Sequence, residues 1–202
     1  MKSSVISYLK FIYWGGYKSL TIKSMWLYFR LGSCGIGLMV KKGARVNKPQ
    51  QVYVGQRVVL DRYSSIFLNQ ISSKKPVVRI GNKVLIGAYS SIGCSNEVVI
   101  EDDVMLAPHV HITDRNHSYE DINAPINRQP AVSQGPVVIG RDAWLGYGVQ
   151  IMPNVRVGRH CVVAAGSVVT KDTPDYSVVA GIPARIVKKY NFETSQWEKV
   201  KP

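Results

Sequence analysis

From Ile139 onward the chain places an aliphatic residue at every sixth position: Ile139, Leu145, Ile151, Val157, Val163 and Val169. The same spacing recurs upstream in three shorter runs: Val54, Leu60, Ile66, then Ile80, Ile86, Ile92, then Ile100, Leu106, Ile112. Two further positions move with these anchors. The residue after each is often Gly (Gly55, Gly81, Gly87, Gly93, Gly140, Gly146, Gly158), and the fourth after it is small or β-branched (Val58, Ser64, Ser90, Val110, Ala143, Cys161, Ser167). A period of six fits neither the 3.6-residue helix nor a long alternating strand. It fits a short strand followed by a corner, with three strands to a coil and anchors stacked on anchors around an apolar prism. Small residues suit a crowded corner, and Gly after the anchor suits unusual corner dihedrals. A single coil cannot enclose a core, so these anchors predict an all-β stack of roughly five coils. Val40 and Val46 stand where an incomplete earlier coil would begin, two residues out of frame with Val54.

The breaks in the frame are informative too. Short insertions separate Ile66 from Ile80 and Ile92 from Ile100, but the stretch from Ile112 to Ile139, TDRNHSYEDINAPINRQPAVSQGPVV, is polar, Pro-rich and out of frame. A loop that long within a compact repeat is functional or disordered. The chain therefore divides into an N-terminal arm, read as helical (1–45), a coil domain (46–187) with a candidate active-site loop at 113–136, and a C-terminal tail (188–202) capping the last coil.

Charge changes the picture less than its total suggests. The 202 residues carry a formal +13, which by itself invites a nucleic-acid partner. Yet the first 60 residues hold ten Lys and Arg and no Asp or Glu, so most of the excess belongs to the arm and no nucleic-acid partner is expected. Eight of the 19 aromatic residues (Tyr8, Phe11, Tyr13, Trp14, Tyr17, Trp26, Tyr28, Phe29) lie in the same region, interleaved with Lys10, Lys18, Lys23 and Arg30. Aromatic residues mixed with cations suit a membrane interface, and equally an arm packed on the base of the coils or on a second subunit. No uncharged run approaches the roughly 20 apolar residues that span a bilayer, and no compact apolar stretch precedes a small-residue cleavage site. Cys34, Cys94 and Cys161 are odd in number and widely spaced, which suggests neither a disulfide framework nor a zinc finger. The expected location is the cytoplasm, with peripheral contact at the inner face of the membrane.

The hexad pattern, the block PVVIGRDAWLGYGVQIMPNVRVGRHCVVAAGSVVTKDTPDYSVVAGIPARIVKK and the loop segment DRNHSYED together resemble the hexapeptide-repeat acetyltransferases, in particular the surface-polysaccharide, galactoside and maltose enzymes. The resemblance implies a left-handed parallel β-helix, a departure from the usual right-handed crossover. It also implies homotrimers with active sites between subunits, and acetyl-CoA as the acetyl donor. A lone loop histidine is by default a solvated surface residue. The resemblance, however, places His117 on the family's catalytic histidine. It carries Trp144, Gly146 and Tyr147 to the thioester, Ala165 to the pantetheine arm, and Thr170, Lys171 and Arg185 to the adenine and phosphate end. Lys and Arg suit phosphate chemistry, by point charge and by bidentate fork. Where the galactoside enzymes use an Asn and an Asp on the sugar, this chain has Gly87 and Ser95, so the resemblance does not fix the acceptor.

The chemistry implied is direct acetyl transfer from acetyl-CoA to a sugar hydroxyl in O-antigen, capsule or lipopolysaccharide synthesis, with a lipid- or nucleotide-linked sugar as acceptor. A hydroxyl is a poor nucleophile at neutral pH, and imidazole is the side chain suited to take its proton. Backbone N–H groups around Gly146 are the candidate oxyanion donors. Asp114, Glu120 and Asp121 are candidates to orient His117, and His109, His111 and Asp114 join Gly87 and Ser95 as candidate acceptor contacts. N-acetylation of an amino sugar, or of a nucleotide-amino sugar, would use the same base and donor site. More distant alternatives are a xenobiotic acetyltransferase, a carbonic-anhydrase-like zinc enzyme built on His109, His111 and His117, and a non-catalytic scaffold. No metal is expected.

Overall fold

The computed structural model describes residues 22–200. The strands of the coils pair in parallel and form three sheets that are the three faces of a prism. The first face aligns Cys34, Val54, Ile80, Ile100, Ile139 and Val157. The second aligns Val40, Leu60, Ile86, Leu106, Leu145, Val163 and Val179. The third aligns Val46, Ile66, Ile92, Ile112, Ile151 and Val169. The architecture is a left-handed parallel β-helix. All fifteen sequence anchors point inward and are at most 4% exposed, each stacked on the anchor one coil away. The first and third faces have six parallel rungs and the second has seven, one full coil more than the anchor count suggested. The added coil is the one begun by Cys34, whose thiol fills an anchor site, so pairing starts at Ser33 and not at residue 46.

The corners follow a rule that the sequence pattern hid. The third residue after an anchor takes a positive φ at nearly every first and second corner: Arg57, Tyr63, Lys83, Tyr89, Asp103, His109, Asp142, His160 and Tyr176, with Gly37, Gly43, Gly148 and Gly166 in equivalent places. The glycine directly after the anchor serves space and not dihedral freedom. A Cβ built on Gly87 would lie 2.5 Å from the Ala107 backbone, and one on Gly146 would lie 2.7 Å from the Ala165 nitrogen. Coils approach too closely there for any side chain. The small residues four after each anchor are buried at the corners, where the Ser90 hydroxyl donates to Ala107 O and receives Val110 N–H, both at 3.1 Å.

All the insertions fall at one corner, between the third face and the next first face. They are the residues between Val46 and Val54, 69–76, Ser95–Asn96, and the long stretch after Thr113. The other two corners keep the frame of six, so this edge alone carries excursions long enough to build a site. At the N-terminal end, α1 (Ile22–Arg30) lays Leu27, Tyr28 and, just beyond it, Leu31 on the first coil, all at most 3% exposed. The aromatics of the arm before residue 22 lie outside the described residues. At the other end, Ser177–Gly181 begins a seventh rung of the second face. The chain then reverses through Ala184–Asn191 and Gln196–Lys199, which add two antiparallel strands and close the stack.

Candidate active site

The long insertion is a β-hairpin. Arg115–His117 pairs antiparallel with Ala131–Ser133, placing His117 opposite Ala131. Its base is set by Asp114, which is fully buried and whose carboxylate accepts N–H bonds from Ser95 (2.7 Å), Asn96 (2.7 Å) and Glu97 (3.0 Å). One carboxylate thus shapes the preceding turn and fixes where the hairpin leaves the coil. The hairpin tip is held by Gln129, which donates to the carbonyls of Asp121 and Ala124 at 2.8 and 2.9 Å.

His117 shares a pocket of about 350 Å³ with Gly93, His111, Thr113, Arg115, Asn116, Gln150 and Met152. His111 comes from the third face, where it aligns with Ser91 and Gln150, and its Nδ1 lies 2.7 Å from Ser91 Oγ. Partial desolvation in the pocket, and then the Arg115 charge, hold the His111 pKa below its ordinary value. His111 is therefore neutral at pH 7 and available as a hydrogen-bonding wall beside His117. Because its pKa is lowered on folding, its contribution to stability is present above the unfolded value of about 6.5 and fades as pH falls through the lowered folded value. Wild type is expected to lose thermal stability between pH 6.5 and 5 more steeply than His111→Gln, as read by melting curves across that range.

The structure separates the other predicted residues. Of the three candidates to orient His117, Asp114 is engaged as described, Glu120 accepts from Tyr119 N–H, and Asp121 accepts from Asn123 N–H. His109 lies on the corner between the second and third faces, stacked on Tyr89 with ring centroids 5.1 Å apart and tilted against Tyr147 at 5.0 Å. With Tyr63 stacked on Tyr89, the rings form an outer ladder four coils tall, and the three histidines do not converge on one point. Gly87 is a close-approach glycine at the same corner, and Ser95 is 2% exposed beneath the hairpin base. Gly146 N–H is bonded to Val163 O at 2.8 Å and Gly148 N–H to Pro108 O at 3.1 Å, so Gly146 does not supply an oxyanion donor. Cys94 is no nucleophile either: burial, then the Asp114 charge, push its thiol up to about 12.

Seven residues assigned to the donor form two tracks. Trp144 stands half-exposed on the second face, with Gly146, Tyr147 and Ala165 following along the corner toward the third. Thr170 and Lys171 lie at the far edge of the third face. There Lys171 and Arg185 line a cleft of about 780 Å³ between the last coil and the C-terminal strands, together with Thr173, Ala184, Val187 and Val200. From His111 and Thr113 the outer surface of the third face runs through Gln150 and Met152 to Val168 and Thr170, joining the His117 pocket to this cleft. Ser91, Arg115 and Gln150 were not anticipated. Ser91, His111 and Gln150 each precede a third-face anchor, so the hexad frame already put them in one column.

The family model for bacterial transferase hexapeptide (six repeats) matches residues 136–171, which are the coils carrying most of these donor positions. The chain belongs to the hexapeptide-repeat family. Among relatives of this hexapeptide-repeat protein, WbbJ of Escherichia coli K12, named as a lipopolysaccharide biosynthesis O-acetyl transferase, is 38% identical over 129 residues, 61% of this chain and 66% of that one. The galactoside O-acetyltransferase of E. coli K12 is 35% identical over 94 residues, 46% of this chain and 45% of that one. The matches thus span about two thirds of the first relative and under half of the second. In fold, the chain is similar to the N-acyltransferase AntD of Bacillus cereus, solved with dTDP and 3-hydroxybutyryl-CoA, with a TM-score of 0.73 at 19% identity over 87% of this chain and 92% of that one. That likeness concerns the fold alone.

Proposed function

We propose that this protein transfers acetyl from acetyl-CoA to a sugar hydroxyl, with His117 as the base. The observation that carries the reading is the open pocket holding His117 and His111, joined along the third face to the cleft lined by Lys171 and Arg185. His117 Nε2 or Nδ1 takes the hydroxyl proton as the oxygen attacks the thioester carbonyl. The tetrahedral centre then collapses, the C–S bond breaks, and the imidazolium returns its proton to the departing thiolate. The products are an acetyl ester and coenzyme A, and no acyl-enzyme forms. The buried cysteines and the raised Cys94 thiol support the direct route. The names of the relatives, both O-acetyltransferases, support a hydroxyl over an amine and a surface-polysaccharide acceptor over a small xenobiotic.

The two donor tracks support a homotrimer with shared sites. On one chain, Trp144, Tyr147 and Ala165 lie across the third face from Lys171 and Arg185, so a single coenzyme A meets both only where one subunit's second-face corner lies against another's third face. The outward column of the second face fits burial against a partner, since it reads Val59, Leu85, Met105, Trp144 and Val162. The matching column of the third face is polar at Ser65, Ser91, His111 and Gln150.

Lys171 and Arg185 would hold coenzyme A phosphates, outside the reacting centre. Replacing both by Ala is expected to raise the KM for acetyl-CoA by roughly tenfold or more, with kcat within about twofold, because the lost contacts act equally in the ground and transition states. An unchanged KM would remove the cleft from the donor site.

A further inference from the structure

We propose that the N-terminal end of the β-helix docks on an anionic membrane surface through the outer side of α1. Within and just after α1, burial alternates with helical period: Ser24, Leu27, Tyr28 and Leu31 face the first coil, and Met25, Trp26, Phe29 and Arg30 face away from it. The inner side is pinned to the coil by Val40 N–H donating to Ser24 Oγ at 3.0 Å. The outward side chains therefore point out of the end of the prism. Trp26 is 50% exposed, Met25 is 37% exposed, and the Arg30 guanidinium lies 4.7 Å over the indole ring.

Charge around this end is one-sided. Arg30, Lys42, Arg45, Lys48 and Arg57 are exposed in or beside the first two coils. The first acidic residue of the chain, Asp61, is already paired with Lys41 at 3.1 Å. A tryptophan and a methionine at an end of the prism that also carries five exposed cations match the chemistry of the headgroup and acyl-chain boundary, where an amphipathic helix lies in the plane and each nearby Lys or Arg adds attraction to anionic lipid. A second protein chain fits less well. Met25, Phe29 and Trp26 are only 37%, 44% and 50% exposed, so half or less of the roughly 150–250 Å² that a large side chain can bury remains on each, short of the roughly 800 Å² per partner of a stable interface.

The placement bears on the acceptor, a consequence that rests on the proposed sugar transfer. His111 and the base of the hairpin belong to the fourth coil, three rungs of about 4.8 Å from the first, and α1 adds roughly 10 Å. A membrane under α1 would thus lie about 25 Å from His117. That is within reach of a glycan standing on a lipid anchor and out of reach of the anchor itself.

The test is co-flotation of the full-length chain with vesicles of phosphatidylcholine alone, or with one quarter phosphatidylglycerol, at low and high salt. The expected result is binding to the anionic vesicles only, weakened at least fivefold by 0.5 M NaCl and at least fivefold by the double change Met25→Ser, Trp26→Ser. Coenzyme A release on a soluble acceptor should stay unchanged in that variant, which shows that it is folded and tests sugar transfer separately. Equal binding to neutral vesicles, no binding to either, or undiminished binding by the double variant would overturn the proposal. So would loss of binding only on deleting residues 1–21, since that would move the contact off α1.

Discussion

His117→Ala is expected to lower acetyl-CoA turnover about 10²- to 10⁴-fold while leaving acetyl-CoA affinity within about twofold and the melting temperature unchanged. The asymmetry follows from where the side chain sits. His117 is exposed on the hairpin and its ring makes no hydrogen bond among the described residues, so its loss leaves no buried group unsatisfied. The donor contacts assigned to Lys171 and Arg185 lie two coils away along the third face. Steady-state coenzyme A release and calorimetric titration of acetyl-CoA would read the two quantities independently. Activity within a few-fold of wild type would eliminate His117 as the base. Loss of donor affinity in parallel with turnover would make it a binding residue instead.

Asp114→Ala is expected to have the largest effect on stability at the site, about 2–4 kcal/mol. Its carboxylate is fully buried and takes three backbone N–H bonds from the turn at residues 95–97. Truncation strands those donors, at about 1–3 kcal/mol each where water does not reach them. A chain of this size should then melt roughly 5–12 °C lower. Because the same carboxylate fixes where the hairpin leaves the coil, turnover should fall as well, and limited proteolysis should cut within 113–136 before it cuts the coils. A loss below about 1 kcal/mol with an unchanged cleavage pattern would show that the hairpin base is held by something else.

The contrast between these residues shows what could be read from the chain before it folded. Every anchor from Val54 to Val169 landed in the core, because a period of six admits only one way of facing a prism, and each apolar residue adds to the same ladder. Cys34 escaped the count because a thiol is a less obvious anchor than Ile or Val, and because the turn at Pro49–Gln51 throws the frame out by two before Val54. The glycines after the anchors were visible, but their reason was not. Gly87 and Gly146 answer to the distance between coils, a property of the stack, while the strained dihedral falls two residues later on side chains as large as Tyr63 and Tyr89.

The site was legible where it followed the frame and opaque where it depended on distant backbone. His117 stood out because its loop broke the repeat and matched a family segment. Lys171 and Arg185 meet in one cleft although the chain reverses direction between them. Asp114 looked like a partner for His117 because it lies three residues away, yet its neighbours are the N–H groups of residues 95–97. Nothing in the spacing of those residues marks a turn that would aim three donors at one carboxylate. His111 and Ser91 are 20 residues apart in sequence and adjacent in space, as are any two residues one coil apart at the same position of a face. Assigning each anchor to a face would have revealed that pair, and would also have shown that every insertion occupies the same edge.

The central claim is that the pocket at His117 moves an acetyl group onto oxygen. The most direct measurement is turnover of labelled acetyl-CoA by the full-length protein against isolated surface polysaccharide, lipid-linked glycans, nucleotide sugars and amino sugars, with the product position assigned by NMR. The expected result is sugar-dependent coenzyme A release and a base-labile O-acetyl ester, both abolished by His117→Ala. An N-acetyl product, or coenzyme A release that no sugar stimulates and that survives His117→Ala, would contradict it.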